Sequence, residues 1–483
     1  MSTKNITDKT KNKKDVGALI GAAFIMATSA IGPGFLTQTA QFTQDFGPNF
    51  SFVILITTIL FIGAQVNVWR VIGVSGLRGQ DIANKIIPGL GYLVAFLVAL
   101  GGLAFNIGNV GGAALGMNVM FNMNMTLGTV LSGLIAIFVF MSKNSNSLVD
   151  KITKFLALGM IIIVGYVAIS NHPPVGEAVS RMVKPENPKG LIFPIITLLG
   201  GSVGGYITFA GGHRLIDGGI TGEENIKEIT KFLALGMIII VGYVAISNHP
   251  PVGEAVSRMV KPENPKGLIF PIITLLGGSV GGYITFAGGH RLIDGGITGE
   301  ENIKEITKSS LLGILVATMM RVLLFLAILA VVSKGLQLDP ENPAASAFKF
   351  SAGAIGYKFF GLVLWSAAIT SVIGAAYTSV SFLKTLNPFI DKYEKYFIIA
   401  FIAISTLIMA FIGKPATLLI LAGALNGLIL PITLGIMLIA SKRKDIVGDY
   451  KHPTWLLIFG LIVVLISAYT GITSLSSLGA LFA

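Results

Sequence analysis

Leu191–His213 reads LIFPIITLLGGSVGGYITFAGGH, and Leu268–His290 repeats it letter for letter. The stretch is long enough to cross a bilayer, which takes roughly 20 apolar residues. Its middle nonetheless holds Gly200, Gly201, Gly204 and Gly205, with Gly277, Gly278, Gly281 and Gly282 in the second copy. Glycine weakens a helix where lipid demands unbroken backbone hydrogen bonding. A break at membrane depth is tolerated where the freed amide and carbonyl groups line a protein cavity or a ligand. The stretch is therefore expected to form half of a transport site, with Gly204, Gly205 and Tyr206, or Gly281, Gly282 and Tyr283, against the solute.

Composition frames this reading. The 483 residues are 53% hydrophobic and only 12% charged, and they include no cysteine. Soluble domains carry about 25% charged residues. Apolar runs recur from end to end, which predicts an all-α polytopic membrane protein. Without cysteine there is no disulfide framework and no thiolate metal site. The net charge of +12 resides in loops, where topology uses it, and is not a nucleic-acid signature. Residues 1–15 are polar and carry Lys4, Lys9, Lys11, Lys13 and Lys14, which places this tail in the cytoplasm. No small-residue cleavage site follows, so it is not read as a cleaved signal peptide. Residues 16–483 form one transmembrane domain in the cytoplasmic membrane.

The repeat extends beyond the broken stretch. Residues 152–228 and 229–305 are identical tandem copies, offset by 77 residues. Inverted repeats of transporters are only weakly similar and run in opposite topology, so this direct repeat has another origin, such as a recent crossover, a deliberate duplication or an assembly error. Each unit carries two spans, so everything downstream keeps its orientation. About 11 native spans plus 2 from the extra copy are expected.

The partner of the broken stretch is Ile31-Gly32-Pro33-Gly34-Phe35 in the first span. Proline removes a helical hydrogen bond and the flanking glycines loosen the turn. For the triplet alone, close packing of small residues explains the pattern equally well. Two such breaks, in the first and sixth spans, point to a binding site, formed here by Gly32, Pro33, Gly34 and Phe35 with the sixth-span glycines. Asn106 and Asn109 share a face of the third span. They and Gln65 of the second span read either as pathway residues or as interhelical hydrogen bonds. Arg321 lies in mid-span in VATMMRVLLFL, and a charge there is a functional candidate. His213 and His290 end the broken stretch and read as interfacial residues or as part of the pathway. No Asp or Glu lies deep in any span, whereas a bare divalent ion or a proton relay normally uses one.

Several segments resemble the Nramp family of proton-coupled divalent-metal transporters. Ile31–Phe35 stands where that family has Asp-Pro-Gly-Asn. Gln65–Ala83 is similar to its second span and following loop, Asn106–Asn118 to its third, and Asn426–Pro431 to its tenth. The resemblance implies a leucine-transporter-like fold, with two inverted five-helix halves and an eleventh helix, and alternating access. It implies a divalent metal as solute, coupling to protons or, across the wider superfamily, to sodium, and no cofactor. The departures fall at the site. The family's metal-binding Asp and Asn would be Gly32 and Phe35 here, its methionine Gly204 or Gly281, and its acidic pair Asn106 and Asn109, so no metal ligand set carries over. Two solutes stay open: the family's divalent metal, and a small amino-acid-like or organic anion held by main-chain dipoles. Two rivals are a channel, for which no span has a continuous polar lining, and a chain that the duplication has inactivated.

Overall fold

The computed structural model describes residues 32–141, 173–183, 298–384 and 387–480. The two copies of the glycine-broken stretch, with His213 and His290, lie outside these residues. The described elements are all helical. They are α1 (Pro33–Phe46), α2 (Phe50–Ser75), α3 (Gly79–Ile86), α4 (Leu90–Phe121), α5 (Met125–Met141), α6 (Val175–Val183), α7 (Ile303–Val332), α8 (Pro343–Lys384), α9 (Pro388–Lys392), α10 (Glu394–Ile412), α11 (Pro415–Ala440), α12 (Lys444–Val447) and α13 (Thr454–Ala480). Among the described residues, Pro33–Ser75, Leu90–Phe121, Gly356–Lys384 and Glu394–Ile412 are long and apolar enough to cross a membrane.

Helix α4 is the hub. Its 32 residues reach about 48 Å, and it packs against α8, α11, α5, α3, α10 and α1. Glycines along it let those neighbours approach. A β-carbon on Gly101 would stand 2.4 Å from Asn426 Oδ1, one on Gly108 2.7 Å from Leu419 Cδ2, and one on Gly116 2.6 Å from Trp365 Cβ. Lipid offers no hydrophobic drive between helices, so such close backbone approach is what dispersion needs. The outer faces show the complementary pattern: Phe138 is 73% exposed, Phe411 88% and Trp455 65%. Aromatic surface of that extent suits acyl chains and not water.

The polar connections gather at two ends. At one, Gly299 N donates to Gly73 O (3.0 Å) and Arg443 Nη1 to Ile86 O (3.3 Å). This end carries Arg78, Lys85, Lys304, Lys308, Lys442, Lys444 and Lys451. At the other, Gln44 Nε2 donates to Gln337 Oε1 (3.0 Å), and Lys358 Nζ donates to Val119 O (2.8 Å) and Met120 O (2.7 Å).

Helix ends follow local chemistry. Gly76, at φ 63°, closes α2 with its N–H on Ile72 O, a left-handed cap that glycine adopts without strain. Gly353, at φ 61° and ψ −157°, breaks α8 into a short and a long arm. Helix α6 is amphipathic and docks on α2, with Ser51 Oγ donating to Ala178 O. Helix α7 starts at Ile303, its first two turns polar and ahead of its apolar run.

Candidate functional site

Helix α1 begins at Pro33, with Gly32 extended before it (φ −86°, ψ 178°) and no side chain capping its amides. Proline is at home in this first position, where its missing N–H costs nothing. At 14 residues, α1 is about 21 Å long, short of the roughly 30 Å hydrocarbon core. A helix start inside the expected first span is what the Gly32-Pro33-Gly34 triplet predicts. The start is fully enclosed: Pro33, Gly34, Phe35, Leu36, Thr37, Gln38, Thr39 and Ala40 are all buried, and α1 contacts α4, α7, α8 and α11.

Each residue of the motif meets a different helix. A β-carbon on Gly32 would stand 3.3 Å from Ser371 Oγ of α8. The ring of Pro33 fills a notch at Gly112 of α4, where a β-carbon would lie 2.3 Å from Pro33 Cβ and 2.5 Å from its Cγ. Phe35 carries the guanidinium of Arg321 over its ring, 4.4 Å from the centroid. Arg321 is 6% exposed, and among the described residues neither its Nε nor its Nη2 has a hydrogen-bond partner. The structure thus joins two features that stand 286 positions apart in the chain, the first-span break and the mid-span cation. A desolvated cation–π contact is worth about 2 kcal/mol. A charge at the centre of a membrane helix costs roughly 2.5–3.5 kcal/mol even on the mildest scale. The aromatic ring therefore offsets only part of the cost.

The other expected pathway residues divide. Gln65 Nε2 donates to Ser310 Oγ (3.0 Å) and ties α2 to α7. Asn106 Nδ2 donates to Ser405 Oγ (3.1 Å) and ties α4 to α10. Both make the interhelical bonds that were one of the two readings. Asn109 is 4% exposed, with no partner for Nδ2 among the described residues, one turn along α4 from Gly112. Three residues near the motif went unnoticed in the sequence: Gly112, Ser371 and Gln38, whose Nε2 donates to Leu419 O (2.9 Å). Gly112 had a signal in its pair with Gly111. The serine and glutamine had none, since single polar residues recur in every span.

A second polar cluster closes the end of α2 that meets α13. Asn67 Nδ2 donates to Gly63 O (2.6 Å) and Leu456 O (3.0 Å). Its Oδ1 is 2.7 Å from His452 Nε2, so the imidazole donates. Burial, and then the charges of Arg70 and Lys442, push the His452 pKa down to about 4. The ring is neutral near pH 7.

Apolar helices packed around a buried helix start define a polytopic membrane protein, and its family match makes it a transporter. The family model described as natural resistance-associated macrophage protein-like matches residues 23–244 and 221–477, and the chain belongs to this Nramp family. It is 49% identical over 469 residues to the uncharacterized membrane protein YcsG of Bacillus subtilis, covering 97% of this chain and 96% of that protein. It is 44% identical over 466 residues to an uncharacterized membrane protein of Haemophilus influenzae, covering 96% and 98%. Among solved structures, a manganese transporter of Eremococcus coleocola superposes with a TM-score of 0.58 at 14% identity, covering 97% of this chain and 88% of that one. The all-α, leucine-transporter-like architecture of that family is the fold expected from the sequence.

Proposed function

We propose that this protein is a secondary-active transporter of a small solute bearing a carboxylate, amino-acid-like or an organic anion, coupled to protons or sodium. The reading assigns one wall of the site to Gly32, Pro33, Gly34, Phe35 and Arg321. It assigns the other to Gly204, Gly205 and Tyr206, or to Gly281, Gly282 and Tyr283. The observation that carries it is the buried guanidinium of Arg321 against Phe35, with Nε and Nη2 without a partner among the described residues. Arginine matches a carboxylate with two parallel hydrogen bonds, and the open amides at the start of α1 favour negative charge. The same guanidinium opposes a metal ion. A divalent cation roughly 8 Å away would be repelled by about 4 kcal/mol at an effective dielectric of 20.

Family membership favours a second reading, a divalent metal as solute, as the name of the Eremococcus coleocola transporter says of that protein. Uptake into proteoliposomes separates the two. Radiolabelled small carboxylates should exchange in counterflow, and Arg321→Met should abolish exchange while Arg321→Lys retains part of it. Saturable manganese or iron uptake that survives Arg321→Met would instead establish the metal reading. Collapsing the proton and sodium gradients in turn identifies the coupling ion. The lysine-rich tail 1–15 and the basic end of the helix array support a cytoplasmic N-terminus by the positive-inside rule. Protease accessibility of that tail in oriented vesicles tests it.

A further inference from the structure

An open cleft of about 410 Å³ lies between α2 and the first half of α7, lined by Arg70, Lys304, Thr307, Lys308, Leu311 and Leu315. Arg70 is held in place, its Nε donating to Thr307 Oγ1 at 2.9 Å, while Thr307 Oγ1 donates to Ile303 O at 2.7 Å. Lys304, Lys308, Leu311 and Leu315 recur at helical spacing on one face of α7, and all four are exposed. Leu311 is 39% and Leu315 58% exposed. The face is therefore cationic at the polar end of the helix and apolar a turn deeper into the span. Among the described residues none of the three cations forms an ion pair.

We propose that this cleft binds the phosphate headgroup of an anionic phospholipid, which sits between Arg70 and the two lysines while an acyl chain runs along Leu311 and Leu315. Charge and depth both select a lipid. Three cations at the boundary match one phosphodiester and its surrounding anionic leaflet, and each basic residue near such a surface strengthens binding roughly fivefold. The leucines continue the cleft into the hydrocarbon, where a free phosphate has no use for them. Arg70, already fixed by Thr307, loses little side-chain freedom on binding. This site is separate from the transport site proposed above and does not depend on the solute.

Native mass spectrometry of the full-length protein, released from mixed phosphatidylglycerol and phosphatidylcholine, tests the proposal. The wild type should retain phosphatidylglycerol over phosphatidylcholine. Lys304→Gln with Lys308→Gln should weaken that retention roughly 25-fold, while Lys304→Arg with Lys308→Arg keeps it. Equal retention of the two lipids by the wild type, or undiminished phosphatidylglycerol on the glutamine pair, overturns the site. Millimolar inorganic phosphate should leave lipid retention unchanged; displacement of the lipid would make this a free-phosphate site and defeat the lipid assignment. Should the glutamine pair fail to fold, the wild type alone decides. Thermal stabilisation by phosphatidylglycerol over phosphatidylcholine must weaken as salt rises, and a salt-independent preference refutes the ionic contact.

Discussion

Gly112→Ala is the sharpest probe of how the first-span break is held. The added methyl would lie 2.3 Å from Pro33 Cβ and 2.5 Å from Cγ. Ordinary contact needs roughly 3.5–4 Å between carbons, so α1 or α4 must retreat by more than about 1 Å. Proline cannot swing aside as a flexible side chain would, and α1 is buried on every face at this point. The strain should cost about 1–3 kcal/mol, the usual range for overpacking. Gly133→Ala serves as the control. Its methyl would lie 2.3 Å from Thr406 Oγ1, an equal conflict at the contact of α5 with α10. Both variants should lower the thermal unfolding midpoint in detergent. Only Gly112→Ala should also reduce the initial transport rate at least tenfold, because only there does the retreat move the residue next to Gly32. A Gly112→Ala protein that transports as well as Gly133→Ala would refute the idea that Pro33 positions the site.

Other expectations follow from the same geometry. Asn106→Ala removes the bond to Ser405 and should cost about 0.6 kcal/mol, the mean for interhelical membrane hydrogen bonds. A Ser405→Ala background should erase that cost, as a double-mutant cycle of unfolding midpoints would show. His452 is neutral when folded, with a pKa near 4, against about 6.5 when unfolded. The unfolded chain thus binds the extra proton, so the stability this residue contributes is complete above pH 6.5 and lost as pH falls towards 4. His452→Gln keeps a donor for Asn67 and should flatten the pH dependence of the unfolding midpoint across that window. Deleting residues 229–305 leaves a chain of 406 residues with one copy of the unit. Transport at the wild-type rate or faster is expected, and a dead deletion would mean that the second copy is needed.

Much of this protein was written in its linear order. Apolar runs set by bilayer thickness defined the helices, as in the 26 residues of α11. Gly32 and Pro33 specified where α1 must start, since backbone restriction is a local property. What linear order could not say is who meets whom. Asn106 shared a helix face with Asn109 and read either as a pathway residue or as an interhelical bond, and Arg321 read as a lone mid-span charge. Packing turned the first into a bond with Ser405 and laid the second over Phe35. The same holds for Gly112, whose missing side chain matters only because Pro33 fills the space. Helix formation is decided within a few residues, whereas the pairing of a buried polar group depends on surfaces hundreds of positions apart, and only the tertiary fold brings those together.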